Sequence, residues 1–180
     1  MVDVRFVKYW SSRYPVAHDE TYDPYLVNGR LGCRRALREL TKWKNVGNNG
    51  RPMDFSRHPQ KESAFQRFLA GLERYFQHDG RDQLRADFRN SAPVWSFFWH
   101  HVLYDTPIFD VYAHMAYHWD LTGEILQKND AKIHASRHWT LYDKYQVWFD
   151  QKLSNLQERD ESITDRYLDR ALFCWGENQN

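Results

Sequence analysis

The sequence predicts an all-α protein, and three observations predict it. Large apolar residues recur at helical i, i+3, i+4 spacing, most clearly at Phe65, Phe68, Leu69, Leu72, Tyr75 and Phe76. No segment sustains the period-two alternation of a half-buried strand, so few or no strands are expected. Short stretches rich in proline, glycine and polar residues separate the periodic ones. A chain of 180 residues suits one compact multi-helix domain, 1–180, with a sizeable core.

The elements follow in order. Residues 3–12 read as a short amphipathic segment, and a polar, proline-punctuated loop spans Tyr14 to Pro24. Residues 25–44 are helical, at least from Gly32, with Ala36, Leu37, Leu40 and Trp43 on one stripe. "NVGNNGRP" is a loop. The 60–78 helix stops at Gly80, and a shorter helix covers 81–89. Ser91 offers a hydroxyl cap, with Pro93 in the first turn of a helix over 92–104. That helix is apolar almost all round ("VWSFFWHHVL"), which predicts a central position. "YDTP" breaks it before a helix over 110–120. Helices over about 121–128, 137–157 and 162–176 complete the chain, the last with Ile163, Tyr167, Leu168, Ala171, Leu172 and Trp175 facing inward.

Composition narrows the function classes. No run approaches the roughly 18 apolar residues of a membrane span, and "MVDVRFVKYW" has no apolar signal core. Cys33 and Cys174 are too few for a disulfide framework or an iron–sulfur cluster, so a reducing cytosol is the expected setting. The net charge of +1 hides an asymmetry. Residues 28–61 carry nine basic and two acidic side chains, a local +7, and the remainder carries −6. Such a surface can bind phosphates, or it can be a solvated helix face. Aromatic residues number 30 of 180. They fill cores, and they also stack on nucleobases.

The stretch "TPIFDVYAHMAYHWD" places Asp110 at the mouth of a helix, after a proline loop. Capping is the ordinary use of Asp in that place. The other use is a carboxylate aimed at a substrate. Residues 89–110 form a larger unit: a helix end, the turn "RNSAPV", an apolar helix, the loop "YDTPIF" and then Asp110. This arrangement resembles the helix-hairpin-helix (HhH-GPD-like) DNA glycosylase superfamily. In that family a hairpin grips a DNA phosphate and a catalytic Asp lies about 20 residues on, at a helix start. "APVWSFFWHHVLYDTPIFDVYAHMAY" is similar to an uncharacterised branch, through Pro93, Val94, Trp95, His101, Pro107, Ile108, Phe109, Asp110, His114 and Ala116. "LTKWKNVG" and "DRALFCWG" also resemble that branch.

The resemblance implies a glycosylase-like helical fold, with 81–120 as its hairpin and catalytic-type segment. It implies DNA as partner, Asp110 as catalytic residue, and Trp43, Trp95, Trp99 and Tyr112 as walls of a base pocket. Core packing is the ordinary reading of Trp95 and Trp99. Phosphate contacts are expected from Ser91 and the helix after it, with some of Arg34, Arg35, Arg38, Lys42 and Lys44. Two departures shape the expectation. The turn "NSAP" lacks the family's glycines, and residues 91–120 contain no Lys or Arg. Schiff-base chemistry from that position is excluded, so the implied enzyme is monofunctional and uses water. A fixed carboxylate suits this reaction, because breaking an N-glycosidic bond builds positive charge on the sugar. The alternative is a catalytically inactive nucleic-acid-binding or protein-interaction module on the same scaffold.

Other sites compete weakly. Asp110, His114 and His118 fall at i, i+4, i+8, a spacing that can hold a metal, but no Glu-x-x-His or Cys pair accompanies them. No metal or cofactor is expected. His101 reads as a structural donor to the loop before Asp110. Neither cysteine has a base nearby in sequence.

Overall fold

A computed structural model describes residues 1–15, 17–44, 54–134 and 138–179. Among them are nine α-helices, one 3-10 turn and no strand. Residue contacts divide the chain into two compact units, one of Met1–Pro15 with Pro107–Asn180, the other of Val16–Thr106.

The first unit holds α1 (Val4–Ser11), α7 (Val111–Thr122), α8 (His138–Gln157) and α9 (Asp165–Asn178). Asp3 caps α1 by accepting from the Phe6 N–H, and Thr164 caps α9 through Tyr167 N–H. α9 packs along both α1 and α7. Its interior is aromatic: Trp119 and Trp175 stack at 4.6 Å, and Phe109 stacks on Tyr145 at 4.3 Å. The Asp120 carboxylate ties three segments together. It accepts from the Val2 N–H (2.6 Å) and the Trp148 indole (3.0 Å), and pairs with Lys152 (2.7 Å). Gly176 lets the backbones of α9 and α7 approach. A Cβ there would sit 2.4 Å from the Tyr112 carbonyl oxygen.

The second unit holds α2 (Ala17–Arg30), α3 (Arg34–Trp43), a 3-10 turn (Phe55–Arg57), α4 (Pro59–Tyr75), α5 (Gly80–Asp87) and α6 (Pro93–Tyr104). α6 is central to it, with every residue from Trp95 to Val102 buried. The apolar run around its circumference dictates this, since no face can be left to water. Trp99 lies flat on Phe68, and Phe88, Phe65 and Trp95 pack around it.

Several boundaries differ from the sequence expectation. The loop expected over Tyr14–Pro24 is largely helix: α2 begins at Ala17 and carries Pro24 inside it. The proline removes one backbone donor. Burial of Tyr22 and packing of α2 on α3 and α6 outweigh that loss. The 25–44 helix is two helices, separated at Leu31–Cys33. Gly80 does not stop α4, which ends at Tyr75; it opens α5. Ser91 does not cap α6. Ala92 occupies the cap position in left-handed conformation (φ 45°), with no side-chain cap bond, and the Ser91 hydroxyl serves Arg67 instead. No helix covers 123–128: α7 continues to Thr122 and Gly123 closes it at φ 78°. Tyr167 is 42% exposed rather than inward. "NVGNNGRP" lies outside the described residues. No described helix is long and apolar enough to cross a membrane.

Candidate functional site

Asp110 is the N-cap of α7. Its backbone is extended (φ −137°, ψ −171°), and its Oδ1 accepts from the Tyr112 and Ala113 N–H groups, both at 3.0 Å. The residue is 7% exposed. A carboxylate there meets two amide donors and the positive end of the helix dipole. The backbone leading to it is held by side chains of the same unit. Tyr142 donates its hydroxyl to the Pro107 carbonyl (2.9 Å), and Tyr145 donates to Ile108 (3.2 Å). Phe109, between them, is fully buried against Tyr145. The Pro107 and Ile108 carbonyls and the Phe109 ring are thus each held before the helix begins.

A second carboxyl shares this neighbourhood. Asp169, on α9, accepts from the Ile108 N–H, and burial pushes its carboxyl up to about 8. Arg166 opposes that rise, while the negative charges of Asp165 and Asp110 add to it. Burial also holds the Tyr145 hydroxyl far above the usual phenol range, with Asp169 and Asp110 acting the same way. Asp169 lies in "DRALFCWG", and its place within that motif was its only sequence signal. The two tyrosines gave no signal beyond an aromatic-rich helix.

Tyr112, in the first turn of α7, is half-buried. Lys128 donates to its hydroxyl (2.9 Å) and stands 4.9 Å over its ring, and Phe173 meets it edge-on. His114 donates Nδ1–H to the Ala131 carbonyl (2.8 Å), and burial lowers its pKa. Among the described residues no group of three or more His, Cys, Asp or Glu side chains is placed to hold a metal ion. Cys33 is exposed and Cys174 buried, both as free thiols.

The second unit carries a cleft of about 510 Å³ between one face of α4 and the start of α6. α4 supplies Gln60, Lys61, Ser63, Ala64 and Arg67, a row at helical spacing. The segment Ser91–Trp95 forms the other wall. Arg67 donates to the Ser91 hydroxyl and lies 4.4 Å over Phe88; Lys61 stands 5.7 Å over Trp95. Neither cation makes a salt bridge among the described residues. Sequence reasoning singled out Ser91 and Trp95 but missed Arg67. Its polar row with Gln60 and Ser63 was the available signal.

The remaining expected residues lie elsewhere. Trp99 is fully buried, its indole donating to Thr41 Oγ1 at 3.1 Å, which places it in the interior of its unit. Trp95 is 8% exposed, edge-on to Trp99 and Phe55. Trp43 is half-buried on Tyr22 (4.5 Å) and Phe98 (6.0 Å). Arg34 and Arg35 are exposed at the start of α3. Arg38 reaches both oxygens of Glu62 (3.0 and 3.1 Å), Lys42 pairs with Glu39 (2.8 Å), and Lys44 is half-buried at the end of α3. His101 bonds the Thr106 carbonyl through Nδ1 and receives the Tyr22 hydroxyl at Nε2. Ser91 and Trp95 thus share one cleft, Trp43 and Trp99 pack among aromatic side chains, and Asp110 and Tyr112 belong to the other unit. No protein-family model, curated protein or solved structure matches the chain.

Proposed function

We propose that this protein is a monofunctional, glycosylase-like enzyme that hydrolyses the N-glycosidic bond of a damaged or modified base in DNA. The observation that carries the reading is Asp110, a buried carboxylate oriented by two amides on a backbone that three aromatic residues immobilise. A carboxylate fixed in advance stabilises the oxocarbenium character of the sugar without reorganising during the reaction. It also orients the water whose oxygen ends on the sugar carbon as the base leaves with a proton. The extruded base needs an aromatic wall and the backbone needs cations. Within the Val16–Thr106 unit, groups of both kinds line one cleft (Lys61, Arg67, Ser91 and Trp95), and Arg34 and Arg35 are exposed on α3. The absence of Lys from residues 91–120 fits hydrolysis rather than Schiff-base chemistry.

A catalytically inactive nucleic-acid-binding module is the second reading, and one observation favours it. Asp110 Oδ1 accepts from two amides in an ordinary helix cap, which accounts for a carboxylate at that place without any chemistry. The test is abasic-site formation on a panel of modified duplexes. The enzyme reading expects strand scission after alkali with the native protein and none with Asp110→Asn, while both bind DNA equally. Binding that weakens steeply with salt, and intact bases throughout the panel, would leave the module. Binding without salt dependence would remove nucleic acid from both.

A further inference from the structure

The unit of Met1–Pro15 with Pro107–Asn180 carries a line of rings outside its interior, with cations at both ends. Tyr112, Phe173 and Tyr14 are each half-buried. Tyr112 meets Phe173 edge-on at 5.3 Å, and Phe173 meets Tyr14 edge-on at 6.0 Å. Lys128 stands 4.9 Å over the Tyr112 ring and donates to its hydroxyl. Arg170 and Arg166 stand 5.3 and 5.8 Å from the centre of the Tyr14 ring. Four separate stretches of sequence build this line: the end of the α1 segment, the first turn of α7, the loop after α7, and α9. It begins beside Asp110, because the Tyr112 N–H is one of the two that hold that carboxylate (3.0 Å).

The chemistry of the line is that of a strand-binding surface. A half-buried ring offers a π-face on which any unpaired base can stack. A guanidinium lying over a ring keeps its charge and can still present its N–H edge to a phosphate. The acids nearby do not cancel the cations. Asp165 accepts from the Arg166 N–H (2.7 Å) at the start of α9, and Glu177 lies about three turns further along the helix. Asp169 is half-buried between the two arginines. Duplex DNA hides the faces of its bases in the stack, so rings of this kind suit a single strand.

We propose that the line from Tyr112 through Phe173 to Tyr14, with Lys128 at one end and Arg166 and Arg170 at the other, is a docking surface for single-stranded nucleic acid. Its rings stack on bases and its cations meet phosphates. This rests on nucleic acid being the partner, and it holds whether or not Asp110 is catalytic.

The experiment is anisotropy of a labelled single-stranded thymidine oligonucleotide, titrated with the full chain at several salt concentrations. Lys128→Ala, Arg166→Ala and Arg170→Ala should each lower the slope of log affinity against log salt by about 0.7. Tyr14→Ala should weaken binding roughly fivefold or more, and Tyr14→Phe, which keeps the ring, should stay within about twofold of native. Lys8→Ala is the contrast on the same unit, since Lys8 is paired with Asp160, and it should leave the slope unchanged. Native slopes in all three cation variants would overturn the proposal, and so would equal affinity for an acidic peptide of similar length. If Tyr14→Ala does not fold, the cation variants decide. Binding that responds to Lys61→Ala and Arg67→Ala but to none of these variants removes this surface alone. A native protein that binds no nucleic acid removes this surface and the proposed function together.

Discussion

Trp99 and Phe68 lie face to face, with ring centroids 4.5 Å apart and planes inclined by 10°. The contact joins α6 to α4 inside the Val16–Thr106 unit, with both rings fully buried. It makes Trp99 a packing residue in this fold, and that assignment can be measured. Trp99→Ala removes a fully buried indole and its bond to Thr41. It should cost about 3–5 kcal/mol in urea unfolding. A wall residue of an open base pocket would instead lower affinity for nucleic acid while leaving the midpoint nearly unchanged.

Asp169 gives the stability a distinctive alkaline dependence. Its folded pKa of about 8 lies above the ordinary carboxylate value, so the folded state holds this proton more tightly than the unfolded chain does. The resulting stabilisation is fully present below about pH 4 and is lost as pH rises to about 8. Thermal melts should therefore fall across that window from this residue's contribution. Asp169→Asn should flatten the fall and melt above the native protein at pH 9. A variant with the same slope as native would refute the assignment.

His100 acts in the opposite direction. Burial lowers its imidazole to about 3, with Arg85, Arg81 and His101 adding to the effect. The neutral ring pairs with Thr106 Oγ1 at 2.9 Å. The folded pKa is depressed, so its contribution is present above the ordinary value near 6.5 and is lost as pH falls toward 3. His100→Gln should make stability less dependent on pH between 6.5 and 3 than in the native protein. Melting curves collected at half-unit steps test this directly.

The cleft between α4 and α6 predicts a salt signature. Lys61→Ala and Arg67→Ala should each weaken binding of a short DNA strand at low salt. Each should also reduce the slope of log affinity against log salt by about 1. Arg38→Ala serves as the contrast, because its guanidinium is already committed to Glu62. Equal effects from all three would argue for general charge rather than for this cleft.

Fold class was legible because the helical period is strong where helices bury one face. α4 and α9 announce themselves through Phe65, Phe68 and Leu72, and through Leu168, Ala171 and Leu172. α2 was not legible. Its proline and polar residues read as loop, and only packing on α3 and α6 makes it helical. Asp110 as a helix start followed from local chemistry alone, a proline loop and then a short carboxylate. Asp169 was hidden, because the Ile108 amide that acts on it lies 61 positions away in sequence, which no local pattern encodes. Ser91 misled for the same reason: its hydroxyl suits a cap, but Arg67 reaches it from another helix.

Gly176 has a practical consequence. With the Tyr112 carbonyl only 2.4 Å from where a first side-chain carbon would stand, even alanine must wedge α9 away from the opening turn of α7. The position is thus a mechanical adjustment screw for the Asp110 end of that helix. Turning it by one methyl loosens the carboxylate's seat without altering a single charge, which separates geometry from electrostatics in any later dissection of this protein.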